Sequence, residues 1–161
     1  MSAFGRRPGP ENLPAVGEVE DAIRLVAAEE IMPRFKVLEA HEVSEKEGGE
    51  IVTAADTESE RRLEALLCDL VPGSVAVGEE GYAADERVMD RLGGEAPVWI
   101  IDPLDGTRNF AAGREMFCVI VAFVQNGSVD AGWIYDPVAN DMMQAVRGGG
   151  VRDGRGGSLP A

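Results

Sequence analysis

The densest chemistry in the sequence lies in Asp102-Pro-Leu-Asp-Gly-Thr-Arg-Asn-Phe110. An apolar, β-prone run from Val98 to Ile101 delivers Asp102 to the carboxyl end of a strand, Pro103 turns the chain, and Asp105 brings back a second carboxylate. With the Leu104 carbonyl these form an all-oxygen donor set, which suits magnesium and offers zinc no thiolate or imidazole. Gly106 lets the backbone approach a ligand closely, and the amides of Gly106 and Thr107 fall where a helix begins and anions are favoured. The same residues also make a plain polar turn, with Asp105 as an Asx-type turn former. Spacing alone leaves both readings standing.

Composition narrows the classes of partner. The chain has 161 residues, 45% of them hydrophobic, enough for one ordinary domain with a core. Lys and Arg number 15 against 29 Asp and Glu, a formal net charge of -14. Such a surface repels nucleic-acid phosphates and anionic lipid, so neither is an expected partner. Solubility accounts for most of these carboxylates; a few can converge on metal ions. Cys68 and Cys118 lie in apolar runs and are expected to be buried, reduced thiols. The lone His41 sits in a charged stretch with no nucleophile motif beside it and reads as a surface residue. The N-terminus lacks an apolar signal and no segment is long enough to span a bilayer, so a cytoplasmic protein is expected.

The elements that must position these groups follow from periodicity. Residues 1–14 read as a flexible arm, 15–147 as one α+β domain, and 148–161 as a Gly-rich tail without a predicted element. Apolar residues at Val16, Val19, Ile23, Val26 and Ala27 predict a helix that kinks or restarts at Pro33. Residues 39–50 read as a polar loop. Thr53-Ala-Ala-Asp56 has capping-box spacing, and Leu63, Leu66, Leu67 and Leu70 line the helix it starts, which Pro72-Gly73 ends. Strand-like runs follow at Ser74 to Val77 and Val98 to Ile101, with a short helix near Asp85 to Leu92 between them. Phe117 to Val124 and Val129 to Tyr135 form a hairpin across Asn126-Gly127, and Asp141 to Val146 adds a strand. Layered helices on a mainly antiparallel sheet is the fold class expected. Trp99, Phe117, Phe123 and Trp133 read as core or sheet-face residues, Arg108 as solvent-facing, and Glu80 as a solvated neighbour of Glu79.

Three strings in order carry a family resemblance. Asp102-Pro-Leu-Asp-Gly-Thr-Arg-Asn-Phe110 resembles the first signature of the inositol monophosphatase family, the metal-dependent, lithium-sensitive sugar phosphatases. Val52-Thr-Ala-Ala-Asp56 and Gly78-Glu-Glu80 resemble two of its upstream elements, and Ala27-Ala-Glu-Glu-Ile-Met-Pro-Arg-Phe35 is worded as in bacterial members. The resemblance extends over residues 16–150 and implies the N-terminal half of that family's αβαβα fold. It implies that Glu79 and Asp102 share the magnesium ions, that the Leu104 carbonyl completes one site, and that Asp105 binds a second ion. Roughly two or three magnesium ions are implied, with manganese as a substitute. Thr107, hydrogen-bonded to Asp56, is implied to help Glu79 activate a water that attacks phosphorus, while the Gly106 and Thr107 amides steady the phosphate. Lys46 falls in a loop where the family often carries a lysine.

The family's second signature, Trp-Asp-x-Ala-x-Gly, has no counterpart, because Trp99 and Trp133 are each followed by isoleucine. The expectation is a chain lacking the C-terminal half of the family fold and the leaving-group pocket with it. Two functions follow. One is a magnesium-dependent phosphomonoesterase acting on a small sugar or polyol phosphate. The alternative is a catalytically weak or inactive metal- or phosphate-binding module that needs a partner chain. Strand alternation means that Phe117, Val119, Val121, Trp133 and Ile134 cannot all be covered in this half, so a homodimer or other self-association is expected.

Overall fold

The apolar spacing of the first helix is realised as α1 (Val16–Val26), which buries Val19, Ala22, Ile23 and Val26. The computed structural model describes residues 13–45, 49–154 and 157–159, so Lys46 and all but the end of the 1–14 arm lie outside the described residues. Regular helix does not survive to Pro33. The chain passes through a π turn at Ala27–Ile31 and a 3-10 turn at Met32–Arg34, after which Phe35 is extended. Proline has no amide to continue the helical ladder, and here the break is complete rather than a kink. Glu30 closes this corner by accepting from Arg62 at 2.7 Å and from Arg34 at 2.9 Å.

The polar stretch read as a loop contains β1 (Val43–Glu45), which pairs antiparallel with β2 (Ile51–Thr53) just beyond it, Val43 to Thr53. Thr53 then caps α2 (Ala54–Leu70), and the capping box with Asp56 forms as the spacing predicts. Leu63 and Leu67 are buried, while Leu66 and Leu70 are half-buried along the same face. After α2 come β3 (Val75–Gly78), α3 (Glu79–Ala84), a 3-10 stretch at Glu86–Gly93, β4 (Val98–Asp105) and α4 (Thr107–Ala111). The sheet continues through β5 (Cys118–Gln125), β6 (Ser128–Asp136), β7 (Asp141–Val146), β8 (Gly150–Asp153) and β9 (Ser158–Leu159).

Among the described residues these form one seven-stranded sheet in the order β3-β4-β5-β6-β7-β8-β9. Only the β3–β4 pair is parallel; the others are antiparallel, so the α+β class with a mainly antiparallel sheet holds. The Gly-rich stretch is not without structure. β8 and β9 extend the ladder from β7, because strand pairing is made by backbone groups and does not require an apolar pattern. The Asn126-Gly127 hairpin is as predicted, with φ of 51° and 69° and Gln125 paired to Ser128.

One face of the sheet carries the core. Trp99, Ile101, Val119, Val121, Phe123 and Trp133 pack there against α1 and α2, with the Trp99 and Phe123 ring centroids 4.5 Å apart. On the opposite face, Val88 and Leu92 of the 3-10 stretch cover Val77, Val98 and Val124. Further along, that face is open. Phe117, Val119, Val121 and Trp133 are all buried, whereas Ile134 is 47% exposed and Met143 42%. The open surface therefore belongs to the alternate residues, and only Ile134 of the expected set lies on it. Among the described residues no helix is long and apolar enough to cross a membrane.

Candidate metal and phosphate site

Strand β4 runs past its apolar pattern, which ends at Ile101, as far as Asp105. Pro103 lies inside it, at a register shift between Asp102 and Asp105 against β5, where a missing amide is tolerated. The Leu104 side chain is fully buried and anchors the segment, while Asp102 is half-buried and Asp105 exposed. The Leu104 amide donates to Asp102 Oδ1 at 3.2 Å, an Asx-type turn made by Asp102 and not by Asp105, to which the polar-turn reading gave that role.

Gly106 then turns the chain at φ +95°, and its carbonyl accepts the Asn109 and Phe110 amides to start α4. A Cβ here would stand 2.7 Å from the Met116 carbonyl oxygen and 3.2 Å from Phe117 Cα. Gly106→Ala is therefore expected to cost about 1–3 kcal/mol of stability, read by thermal melting. An unchanged melting temperature would show that the turn adapts freely.

The first residue of α4 ties this loop to α2. Thr107 Oγ1 lies 2.8 Å from Asp56 Oδ1 and 3.0 Å from the Leu104 carbonyl oxygen. Asp56 is 1% exposed, and its other oxygen accepts from the Thr53 amide at 2.7 Å and the Thr53 hydroxyl at 2.6 Å. One carboxylate thus serves the cap of α2 and the Thr107 hydroxyl together.

Glu79 reaches the same place from the other side. It is the first residue of α3, at the end of β3 beside β4, and its carboxyl shares a hydrogen bond with that of Asp102. Burial pushes the Asp102 carboxyl above its ordinary pKa; the bond with Glu79 opposes the rise, and the charges of Asp105 and Asp56 add to it. The Cys118 thiol, across the sheet from Asp105, donates to Asp105 Oδ2 at 3.8 Å. Burial and the Asp105 and Asp102 charges push it up to about 11.

The fold therefore brings Asp56, Glu79, Asp102, Leu104, Asp105, Gly106 and Thr107 to the carboxyl ends of β3 and β4, although they come from three separate stretches of chain. Their donors are all oxygen, which fits a hard divalent cation. The fit is one of donor chemistry rather than preset geometry: among the described residues no three His, Cys, Asp or Glu side chains are already drawn around one point. His41 is a surface residue as expected, its side chain 78% exposed beside Glu39. Arg108 is exposed as expected, yet it also donates to the Gly49 carbonyl at 2.6 Å and so fastens α4 to the β1–β2 hairpin. Glu60 was not singled out by the sequence. It is buried, and the only signal for it is its place one helical turn after Asp56.

Comparison with known proteins bears on the family and the fold. The model of the inositol monophosphatase family matches residues 15–155. The Nus factor SuhB of Haemophilus influenzae is 33% identical over 122 residues, which is 76% of this chain and 43% of that protein. The inositol-1-monophosphatase of Mesorhizobium japonicum is 36% identical over 110 residues, 68% of this chain and 39% of that protein. The chain thus spans less than half the length of these relatives. The solved Thermotoga maritima IMPase superposes with a TM-score of 0.73 at 28% identity, over 91% of this chain and 54% of that one. A family match over most of the chain and the same fold lead to one conclusion: the chain belongs to the inositol monophosphatase family.

Proposed function

We propose that this chain carries the metal- and phosphate-binding side of a magnesium-dependent phosphomonoesterase acting on a small sugar or polyol phosphate. The observation that carries the reading is Thr107 Oγ1, placed between Asp56 Oδ1 and the Leu104 carbonyl oxygen. Both neighbours are acceptors and a hydroxyl has one proton, so that proton is committed between them and the oxygen's lone pairs are left to accept from a water. Asp102, Asp105, Glu79 and the Leu104 carbonyl would hold the ions, roughly two or three magnesium, or manganese in their place. When bound, such ions supply positive charge against the phosphate oxygens and make a nearby water more acidic. Thr107 orients that water and the Glu79 carboxylate takes up its proton, while the amides of Gly106 and Thr107 steady the phosphate. Without cations the gathered carboxylates would repel a phosphate dianion, so metal dependence follows from the charge of the site.

A second reading is favoured by the absence, among the described residues, of three side chains already converging on a metal position. In it the chain binds metal or phosphate without turning over, until a partner chain adds further ligands. A phosphate-release assay on the 161-residue chain separates the two. Over a panel of sugar and polyol monophosphates with magnesium titrated, the phosphatase reading expects magnesium-dependent release that lithium inhibits. Release no greater than that of Asp105→Asn would contradict it.

The proposal extends to assembly. The apolar surface left by Ile134 and Met143 supports self-association with a second copy. Size-exclusion chromatography is expected to give a dimer or larger species, and a stable monomer at micromolar concentration would contradict this. The free thiols of Cys68 and Cys118 support a reducing, cytoplasmic setting.

A further inference from the structure

Asp56 and Glu60 stand one turn apart on α2, both carboxylates and both buried. Asp56 reaches Thr107 on one arm of the site. Glu60 reaches the other arm. Its Oε2 accepts the Glu80 amide and its Oε1 the Gly81 amide, each at 2.7 Å. These amides belong to the first turn of α3, which has no intrahelical partner for them. The N-cap of α3 is Gly78, a residue with no side chain to offer. A carboxylate from a different helix makes the cap instead.

Gly78 and Glu60 are complementary in shape. A Cβ on Gly78 would stand 2.1 Å from Glu60 Cδ, so the glycine is what lets the carboxylate in. A Ser or Asp at position 78 would cap α3 locally with no carboxylate to bury. The long-range cap does something a local one cannot: it fixes the start of α3 relative to α2. Because Glu79 is the first residue of α3, its place beside Asp102 is then set by the same helix face that sets Thr107.

We infer that Glu60 is the positioning residue for Glu79, and that α2 thereby fixes the distance between the Glu79 and Thr107 arms of the site. The inference rests on the reading of Glu79 as a metal ligand. Its test uses Glu60→Gln, which keeps the size but turns an acceptor oxygen into a donor that faces an amide. Hydrogen exchange of the Glu80 and Gly81 amides and manganese binding followed by electron paramagnetic resonance are both read on the full chain. Exchange is expected to quicken at those two amides and not in α4, and manganese affinity to fall roughly 10- to 100-fold. Glu64→Gln, one turn further along α2, should change neither. Where Glu60→Gln does not hold the fold, Glu60→Asp keeps the charge and shortens the reach, and the same two shifts are expected. Quickened exchange with unchanged manganese affinity, or unchanged exchange, overturns the inference. No manganese binding by the unsubstituted chain overturns the reading of Glu79, and the inference falls with it.

Discussion

Thr107→Ala is expected to lower phosphate release by roughly 10²- to 10⁴-fold while leaving metal affinity nearly intact. The hydroxyl touches Asp56 and the Leu104 carbonyl, and no carboxylate of the metal set depends on it for a hydrogen bond. Removing it takes away the acceptor that orients the attacking water and leaves the oxygen ligands in place. Asp105→Asn is the complementary change, since it keeps size and turn propensity but removes a ligand charge. It should weaken metal binding first, with turnover following. Steady-state rates measured across a magnesium titration separate the two: a fall in the plateau for Thr107→Ala, and a shift along the metal axis for Asp105→Asn. If both variants matched the unsubstituted chain on both axes, the Asp102 to Phe110 segment would be serving only as a turn.

Asp56→Ala is expected to be the most damaging change to the fold near the site. The carboxylate is fully buried and accepts three hydrogen bonds, from the Thr53 amide, the Thr53 hydroxyl and the Thr107 hydroxyl. Truncation leaves the Thr53 amide without a partner in a buried position and opens the cap of α2. Each such orphaned group costs about 1–3 kcal/mol and a lost cap about 1 kcal/mol, so a total of about 3 kcal/mol is expected. For a domain of this size that corresponds to a melting temperature lower by roughly 6–12 °C. Asp56→Asn should lose less, because its remaining oxygen can still accept from Thr53. An Asp56→Ala protein that melts with the unsubstituted chain would show that the cap and the Thr107 contact are incidental.

The parts of this architecture that local chemistry controls were legible in the residues themselves. The capping box of Thr53 and Asp56, the Asn126-Gly127 turn and the strand at Asp141–Val146 each follow from short-range patterns, and each is found. The segment Asp102 to Phe110 was legible as chemistry only through its nine-residue resemblance to the family's first signature, because its spacing alone also describes a plain polar turn. What escaped is tertiary in origin. α3 follows a glycine N-cap and has no buried residue of its own, so nothing periodic marks it; the Glu60 carboxylate holds its first turn from another helix. β8 and β9 lie in a Gly-rich stretch and exist by backbone pairing to β7. β4 extends past Pro103 because a register shift takes up the missing amide, a feature that no local pattern announces. The face of the sheet left open was foreseen in kind, but alternation placed Ile134 and Met143 on it and turned Val119, Val121 and Trp133 into the core.

If Glu79, Asp102, Asp105 and the Leu104 carbonyl are the metal set, divalent magnesium must bind them although no three side chains among the described residues are drawn around one point beforehand. Calorimetric titration of the 161-residue chain with magnesium, run beside Asp105→Asn, tests it most directly. Saturable heat at millimolar magnesium or below is expected, with affinity weakened by the substitution, and little preference for zinc over magnesium at these oxygen donors. No magnesium heat in the unsubstituted chain, or an isotherm that Asp105→Asn leaves unchanged, would contradict it.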